Sequence, residues 1–397
     1  MKETRFKQTE IGLIPEDWEV LYLYNISQNA MYGVGASAVK YDGINKYIRI
    51  TDINDTNGCF EPMPLVSPEW FLDKYIVKEN DILIARTGAS VGKCYLYKQS
   101  DGKLIFAGFL MRLNIINADS KFTFYQLCTK YYKNWIASES ARTGQPGVNL
   151  QQIKSFGIPS PQSMREQNKI ASALTSIDNL LLSIDKLIEK KRLIKQGAMQ
   201  ELLTGKKRLP GFTGEWVERR LGEIGKIIMG QSPSSEFYNN NQIGLPLIQG
   251  NADLMNRKQI IRIYTSYITK TCDTNDIILS VRAPVGSVGK ATMKSCIGRG
   301  VCCFKNKEEF LFQYLVWLED KWDKYTTGST FDSISTNELI NIPILIPEDI
   351  HERTTIANIL SSMDKEIESL EGKKAKYEKI KQGMMQQLLT GKIRLIS

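Results

Sequence analysis

One histidine, His351, is all the imidazole chemistry that 397 residues contain. Hydrolysis through a histidine base and histidine-rich metal sites both need a fixed partner beside the ring, and His351 reads instead as a surface or helix-cap residue. The seven cysteines are odd in number and include no C-x-x-C pair, so neither a disulfide framework nor a zinc module is suggested, and a reduced cytoplasm fits best. No run of 18 apolar residues occurs, and Met1 to Glu10 is polar with no apolar core, so a soluble, cytoplasmic protein without membrane contact is expected. Also missing are the Asp/Asn-Pro-Pro-aromatic tetrad of an amino-methyltransferase, a helicase P-loop and a nuclease carboxylate cluster. Gly88 to Cys94 resembles a phosphate loop, but only three residues separate the glycines, and Cys94 stands where the magnesium-binding hydroxyl belongs. Gly286 to Ala291 fails in the same way. The chain by itself is not expected to be an enzyme, and no metal site or bound cofactor is expected. Acidic residues are the minority charge: 52 Lys and Arg face 43 Asp and Glu, a formal charge of +9 that favours a polyanionic partner.

What is present is one unit written twice. Lys195-Gln196-Gly197-Ala198-Met199-Gln200-Glu201-Leu202-Leu203-Thr204-Gly205-Lys206 returns 186 residues later as Lys381-Gln382-Gly383-Met384-Met385-Gln386-Gln387-Leu388-Leu389-Thr390-Gly391-Lys392. The same offset carries Glu166, Ile170, Ala171, Leu174 and Asp178 onto Glu352, Ile356, Ala357, Leu360 and Asp364. Upstream the likeness is looser but keeps its order: Asp17-Trp18 parallels Glu215-Trp216, and Asn80-Asp81-Ile82 parallels Asn275-Asp276-Ile277. Two long copies exclude a solenoid and favour a molecule with pseudo-two-fold symmetry.

In the similar parts, Ile170, Leu174, Ile177, Leu181, Ile184 and Ile188 alternate steps of four and three, and Ile356, Leu360, Met363, Ile367 and Leu370 answer them. That is the spacing of a coiled-coil seam. Ser163-x-x-Glu166 and Asp349-x-x-Glu352 read as capping boxes, and Gly205 and Gly391 as helix ends. A helix from Met164 to Leu203 cannot hide its seam alone, so the two copies should pair. The divergent parts read as mixed α and β, with strands at 47–50, 81–85, 104–107, 276–281 and 300–304 and helices at 122–138 and 308–325. The fold class is therefore α+β: a mixed domain at 1–160, a helical region at 161–206, a second mixed domain at 207–347 and a second helical region at 348–397.

Short Gly-punctuated turns between those strands are rich in donors. Glycine is explained by turn geometry alone, but Arg86, Thr87, Ser90 and Lys93 in one copy, with Arg282, Ser287 and Lys290 in the other, supply the groups that phosphate and base-edge contacts need. A second cluster joins Arg142, Thr143, Gln145 and Asn149 to Thr327, Ser329 and Thr330. A third holds Gln231, Ser232, Gln249 and Asn251, amides and a hydroxyl suited to an adenine edge. Arg49 joins these candidates. Each could equally be solvated surface.

Two divergent domains alternating with two similar helices, the second ending K-Q-G-M-M-Q-Q-L-L-T-G-K, closely resemble the specificity subunits of type I restriction-modification systems. Ile14-Pro15-Glu16-Asp17-Trp18, Tyr47-Ile48-Arg49-Ile50-Thr51-Asp52-Ile53, and the pre-helix runs Ile158-Pro159-Ser160-Pro161 and Ile344-Leu345-Ile346-Pro347 support the likeness. The resemblance implies target-recognition domains that each read half of a split, asymmetric site on double-stranded DNA, with helices paired antiparallel as a spacer. It implies two methyltransferase partners that modify adenine with S-adenosylmethionine, and restriction-translocase partners that use ATP and magnesium. A self-sufficient nuclease and a coiled-coil scaffold that never reads DNA are the alternatives. The purified chain with divalent metal is expected to leave plasmid DNA uncut on a gel; metal-dependent nicking would favour the nuclease.

Overall fold

The computed structural model describes residues 5–55, 57–141, 146–324 and 333–396, without the side chains of 323 and 324. The chain packs as two compact units, Met1–Ile184 with Lys373–Ser397, and Asp185–Gly372. These packing boundaries cut through both long helices, whereas the sequence reading divides the chain after 160, 206 and 347.

In the first unit, strands Ser27–Tyr32, Leu110–Ile115, Asp81–Ala85 and Cys94–Leu96 lie side by side in that order as an antiparallel sheet. Lys46–Ile48 and Leu104–Phe106 pair in parallel, and Trp18–Tyr22 pairs antiparallel with Gly157–Pro161. The second unit repeats this plan. Ile227–Met229, Val301–Phe304, Ile277–Ser280 and Val288–Lys290 begin a six-stranded sheet, Leu245–Ile248 pairs in parallel with Ser295–Ile297, and Trp216–Arg220 pairs with Pro343–Pro347. The two proline-flanked sequence motifs of each copy are therefore partners, with Trp18 opposite Pro161 and Trp216 opposite Pro347.

The strand expectations hold within two residues at their ends. The helix expected over 122–138 is two helices, Ser120–Gln126 and Lys130–Ser140, because the Thr129 side chain caps a new start by accepting the Tyr132 N–H. The helix expected over 308–325 is α-helical only for Glu309–Leu318 and then tightens to a 3₁₀ turn, Glu319–Lys324.

The long helices run Met164–Leu202 and Ile350–Leu388, and both are followed by a left-handed glycine, Gly205 and Gly391, each at φ 68°. Of the seam residues, Ile170, Leu174, Ile177, Ile184, Ile188, Ile356, Leu360 and Ile367 are buried, while Leu181, Met363 and Leu370 are half-buried. Within each unit the helix segments run antiparallel. In the first, Asp178 meets Lys381 at 2.6 Å and Glu166 meets Arg394 at 2.8 Å. In the second, Asp364 meets Lys195 at 2.6 Å and Glu352 meets Arg208 at 2.7 Å. Lys195 itself is buried, so polar pairs take over where the aliphatic seam thins.

Glu166 and Glu352 correct the capping-box expectation. Arg394 donates from Nε and Nη2 to both oxygens of Glu166 at 2.8 Å each, and from Nη1 and Nη2 to Asp17 at 2.6 and 2.7 Å. Arg208 grips Glu352 in the same fork at 2.7 and 2.8 Å. The carboxylates bind an arginine from beyond the other helix's end, not the backbone of their own first turn. In the second copy Asp349 does cap, but toward the His351 N–H at 2.7 Å. His351 is exposed.

Each domain adds its own core to the joint. Ile82, Ile84, Phe122, Tyr132 and Phe156 pack with Ile170, Leu174 and Leu389, while Ile277, Leu279, Phe304, Phe310 and Leu315 pack with Leu203, Ile356 and Leu360. All seven cysteines are free thiols. Burial pushes the Cys272 thiol up to about 11 and Cys303 to about 12, which leaves them protonated and inert at neutral pH. Among the described residues no helix is long and apolar enough to cross a membrane.

Replacing Arg394 with alanine leaves the buried Glu166 carboxylate unpaired, and chemical denaturation should show a loss of ~3–5 kcal/mol. The Asp17 carboxyl lies below its ordinary value chiefly because Arg394 hydrogen-bonds it. Its stabilisation is thus complete above the unfolded aspartate range, is lost as pH falls through and below that range, and should vanish from the acid limb of the variant. A loss under ~1 kcal/mol would class the pair as a solvated surface contact.

Candidate nucleic-acid interface

In the first unit the strand Asp81–Ala85 emerges from the sheet and delivers Arg86 and Thr87, followed by a 3₁₀ turn at Gly88–Ser90. Its start is set by a turn seen in both units. Asn80 and Asn275 are left-handed at φ 67° and 69°, and the buried Asp81 and Asp276 accept the Lys78 and Asp273 N–H groups at 2.7 Å each. Burial raises the Asp81 carboxyl above its ordinary value. Gly92, at φ 81°, closes the loop by donating to the Ala85 carbonyl at 2.8 Å.

The chain before the first long helix lies along this loop. Gly88 N–H donates to Pro146 O at 3.0 Å, Val148 N–H to Arg86 O at 2.9 Å, and Thr87 bridges Gly147. Asn149 belongs to the same face, where its side chain caps the helix Leu150–Lys154 by accepting the Gln152 N–H at 2.9 Å. Arg142, Thr143 and Gln145, from the same cluster, lie outside the described residues. The Arg86 guanidinium sits 4.6 Å above the Tyr32 ring, and the Arg86 backbone N–H donates to the carbonyl of Phe109, a residue 60% exposed. Ser90 is half-buried in the turn.

Lys93 faces a neighbouring loop. Its ammonium donates to Ile53 O at 3.0 Å and Ile50 O at 3.5 Å, and pairs with Asp55 at 2.6 Å. Arg49, on that loop, forks onto the buried Asp52 from Nε at 2.9 Å and Nη2 at 2.8 Å. Both side chains hold the loop's shape.

The second unit gathers a different set. Gly298 to Gly300 forms a tight turn, and a Cβ at Gly300 would stand 2.0 Å from the Gln249 carbonyl, so only glycine fits. Ser232 Oγ accepts the Arg299 N–H at 3.0 Å, and the exposed Gln231 donates its N–H to Ile297 O at 2.8 Å. Gln249 donates from Nε2 to the Tyr238 hydroxyl at 2.8 Å. Asn251 opens the 3₁₀ turn whose Asp253 accepts the Gln249 N–H at 2.7 Å. Arg282 is exposed and bridges Ser333 next to Val281, whose N–H reaches Gly300 O at 2.9 Å.

Two further candidates lie apart from that group. Ser287 donates its N–H to Ser280 Oγ at 2.8 Å, and Lys290 pairs with Glu309 above the Phe312 ring, 4.4 Å from its centroid. Thr327, Ser329 and Thr330 lie outside the described residues. Sequence reasoning missed Tyr32, Phe109 and Arg299. Gly298-Arg299-Gly300, an arginine between two glycines, was a readable signal; Tyr32 and Phe109 carried none. Among the described residues no group of His, Cys, Asp and Glu could hold a metal ion.

Two mixed domains with unlike polar loop faces, each packed on paired long helices, define a class of two-domain recognition protein. The family model described as the type I restriction modification DNA specificity domain matches residues 15–195 and again 213–379, and the chain belongs to that family. Its role is therefore DNA sequence specificity. It is 34% identical to the putative type I restriction enzyme MjaX specificity subunit of Methanocaldococcus jannaschii, over 99% of this chain and 98% of that protein. It is 27% identical to the MjaVIII specificity subunit of the same organism, over 99% and 97%. In fold it is similar to the type I restriction-modification S subunit of M. genitalium, at TM-score 0.61 and 16% identity over 94% of this chain and 96% of that one. A chain from a structure of type I R-M complex assembly and conformational transition gives TM-score 0.62 at 23% identity, over 96% and 99%.

Lys93→Met removes the donor for two loop carbonyls and should lower stability by about 1–3 kcal/mol, and Lys290→Met should destabilise in the same direction. Thermal unfolding of both variants checks this, and unchanged melting temperatures would refute the anchoring role.

Proposed function

We propose that this chain reads a two-part, asymmetric DNA site for an assembly whose other subunits do the chemistry. The face within residues 1–160 reads one half-site and that within 207–347 the other. Two methyltransferase subunits with S-adenosylmethionine then modify adenine, and restriction-translocase subunits with ATP and magnesium cut unmodified DNA; this chain binds none of those cofactors.

One observation carries the reading. The two scaffolds match, yet their loop faces present different side chains, Arg86 with Tyr32 and Phe109 on one and Gln231, Ser232, Gln249 and Arg299 on the other. A shared scaffold with unlike tips is what reading two unlike half-sites requires, since base edges are told apart by the pattern of donors and acceptors offered to them. The net charge of +9 suits phosphate contacts, so affinity should fall steeply as salt rises.

Mapping methylated adenines in cells with the chain and the methyltransferase subunit of its own system should reveal a two-part motif that disappears without the chain. Exchanging residues 1–160 for those of another family member should change one half only. A motif that persists without the chain, or changes in both halves, contradicts the reading. Arg282→Ala and Arg299→Ala, both exposed, should each flatten the log-affinity against log-salt slope by at most about 0.9, with melting temperature unchanged.

A further inference from the structure

We propose that Arg86 is the guanine reader of the first domain, its guanidinium docking on the O6 and N7 edge of one guanine in the half-site read by residues 1–160. The inference rests on the DNA-specificity reading and adds a base identity to it.

The backbone of Arg86 is clamped on both sides, by Phe109 O at 3.0 Å and Val148 N–H at 2.9 Å. Its guanidinium lies over the Tyr32 ring, 4.6 Å from the centroid, and that ring is fixed in turn, because its hydroxyl accepts the Leu150 N–H at 3.2 Å. Nε is buried without a partner, and among the described residues no hydrogen bond or ion pair satisfies the rest of the group. The contrast within the same unit is sharp. Arg49 is bound to Asp52, Arg112 to the Lys74 and Ile76 carbonyls, and Arg394 to Asp17 and Glu166.

A cation held over a fixed ring and whose donors stay unused is prepared for a ligand with two acceptors side by side. In the major groove that ligand is guanine. Adenine offers one acceptor beside an amino donor that would face an arginine N–H, and each pyrimidine offers one hydrogen-bonding group. A phosphate can also take the fork, but it carries no base identity, so relaxation at one base position alone separates the two.

The test uses the full chain with its methyltransferase subunit in cells and compares methylated motifs for wild type, Arg86→Lys, Arg86→Gln and Tyr32→Leu. The wild-type motif should contain a guanine in one half. Arg86→Lys and Arg86→Gln should admit other bases at that guanine alone, with discrimination reduced roughly 5- to 150-fold, while every other position keeps its preference. Tyr32→Leu should relax the same position less. Arg86→Lys keeps the positive charge and loses the fork, so it decides the matter even where Arg86→Gln folds poorly. An Arg86→Lys motif unchanged in sequence, whether or not methylation falls evenly at every site, would make Arg86 a phosphate contact or a bystander and overturn the proposal while the broader reading stands. A wild-type chain that directs no motif would bring down both.

Discussion

A buried carboxylate held in the fork of an arginine is the constraint on which each unit depends. Glu166 and Glu352 lie in the first turns of the long helices at 3% and 0% exposure, where an unpaired charge would be prohibitively costly. Arg394 and Arg208 follow the C-terminal ends of the opposite helices and cover Trp18 and Trp216, at 5.5 and 5.8 Å from the ring centroids. A bidentate pair has one geometry, so it fixes direction and register at once. Sliding a helix by one turn would part the fork and strand the carboxylate, a penalty that an aliphatic seam alone would not impose. The left-handed glycines complete the joint: a Cβ at Gly391 would come within 2.3 Å of Pro15, and one at Gly205 within 3.3 Å of Trp216.

From that joint outward each domain is organised by the same few devices. The strand that leads from the tryptophan pairs with the strand that enters the long helix, so the first and last segments of a domain meet at its base. Helical side chains then reach the polar pairs of the long helices: Tyr125 donates to Asp178 at 2.7 Å, and Gln313 to Asp364 at 2.9 Å. Those aspartates also hold Lys381 and Lys195. Each contact thus ties a domain to both helix segments of its own unit, which restrains how the loops at the far end of the sheet are carried.

Sequence periodicity was enough to find the helices because 39-residue runs sample the heptad many times, and the internal repeat confirmed their ends. Strands were found where β-branched residues gather, as in Asp81–Ala85. Their order was not legible, because pairing Ser27–Tyr32 with Leu110–Ile115 rests on contacts some 80 residues apart that no local pattern encodes. The glutamates misread as capping boxes show the limit of motif reasoning. Ser-x-x-Glu is a local signature, and nothing local reveals an arginine 228 residues away. The site was half legible for the same reason: Arg86 could be singled out from its loop, but Tyr32 beneath it could not.

Repetition between the copies is itself informative about which polar residues read DNA. Lys93 and Lys290 recur at matching places, and both are bound inside their own domains, to loop carbonyls and Asp55 in one case and to Glu309 in the other. Arg86 and Gln249 are held by Tyr32 and Tyr238, whereas the corresponding turns of the other copy carry Arg282, which is exposed, and Arg49, which is bound to Asp52. A side chain that maintains the common scaffold must be present twice, whereas one that distinguishes two unlike half-sites must differ in residue or in setting. In a chain built by doubling, the donors that recur bound inside their domains are therefore first candidates for structure, and those whose residue or setting breaks the repeat are first candidates for recognition.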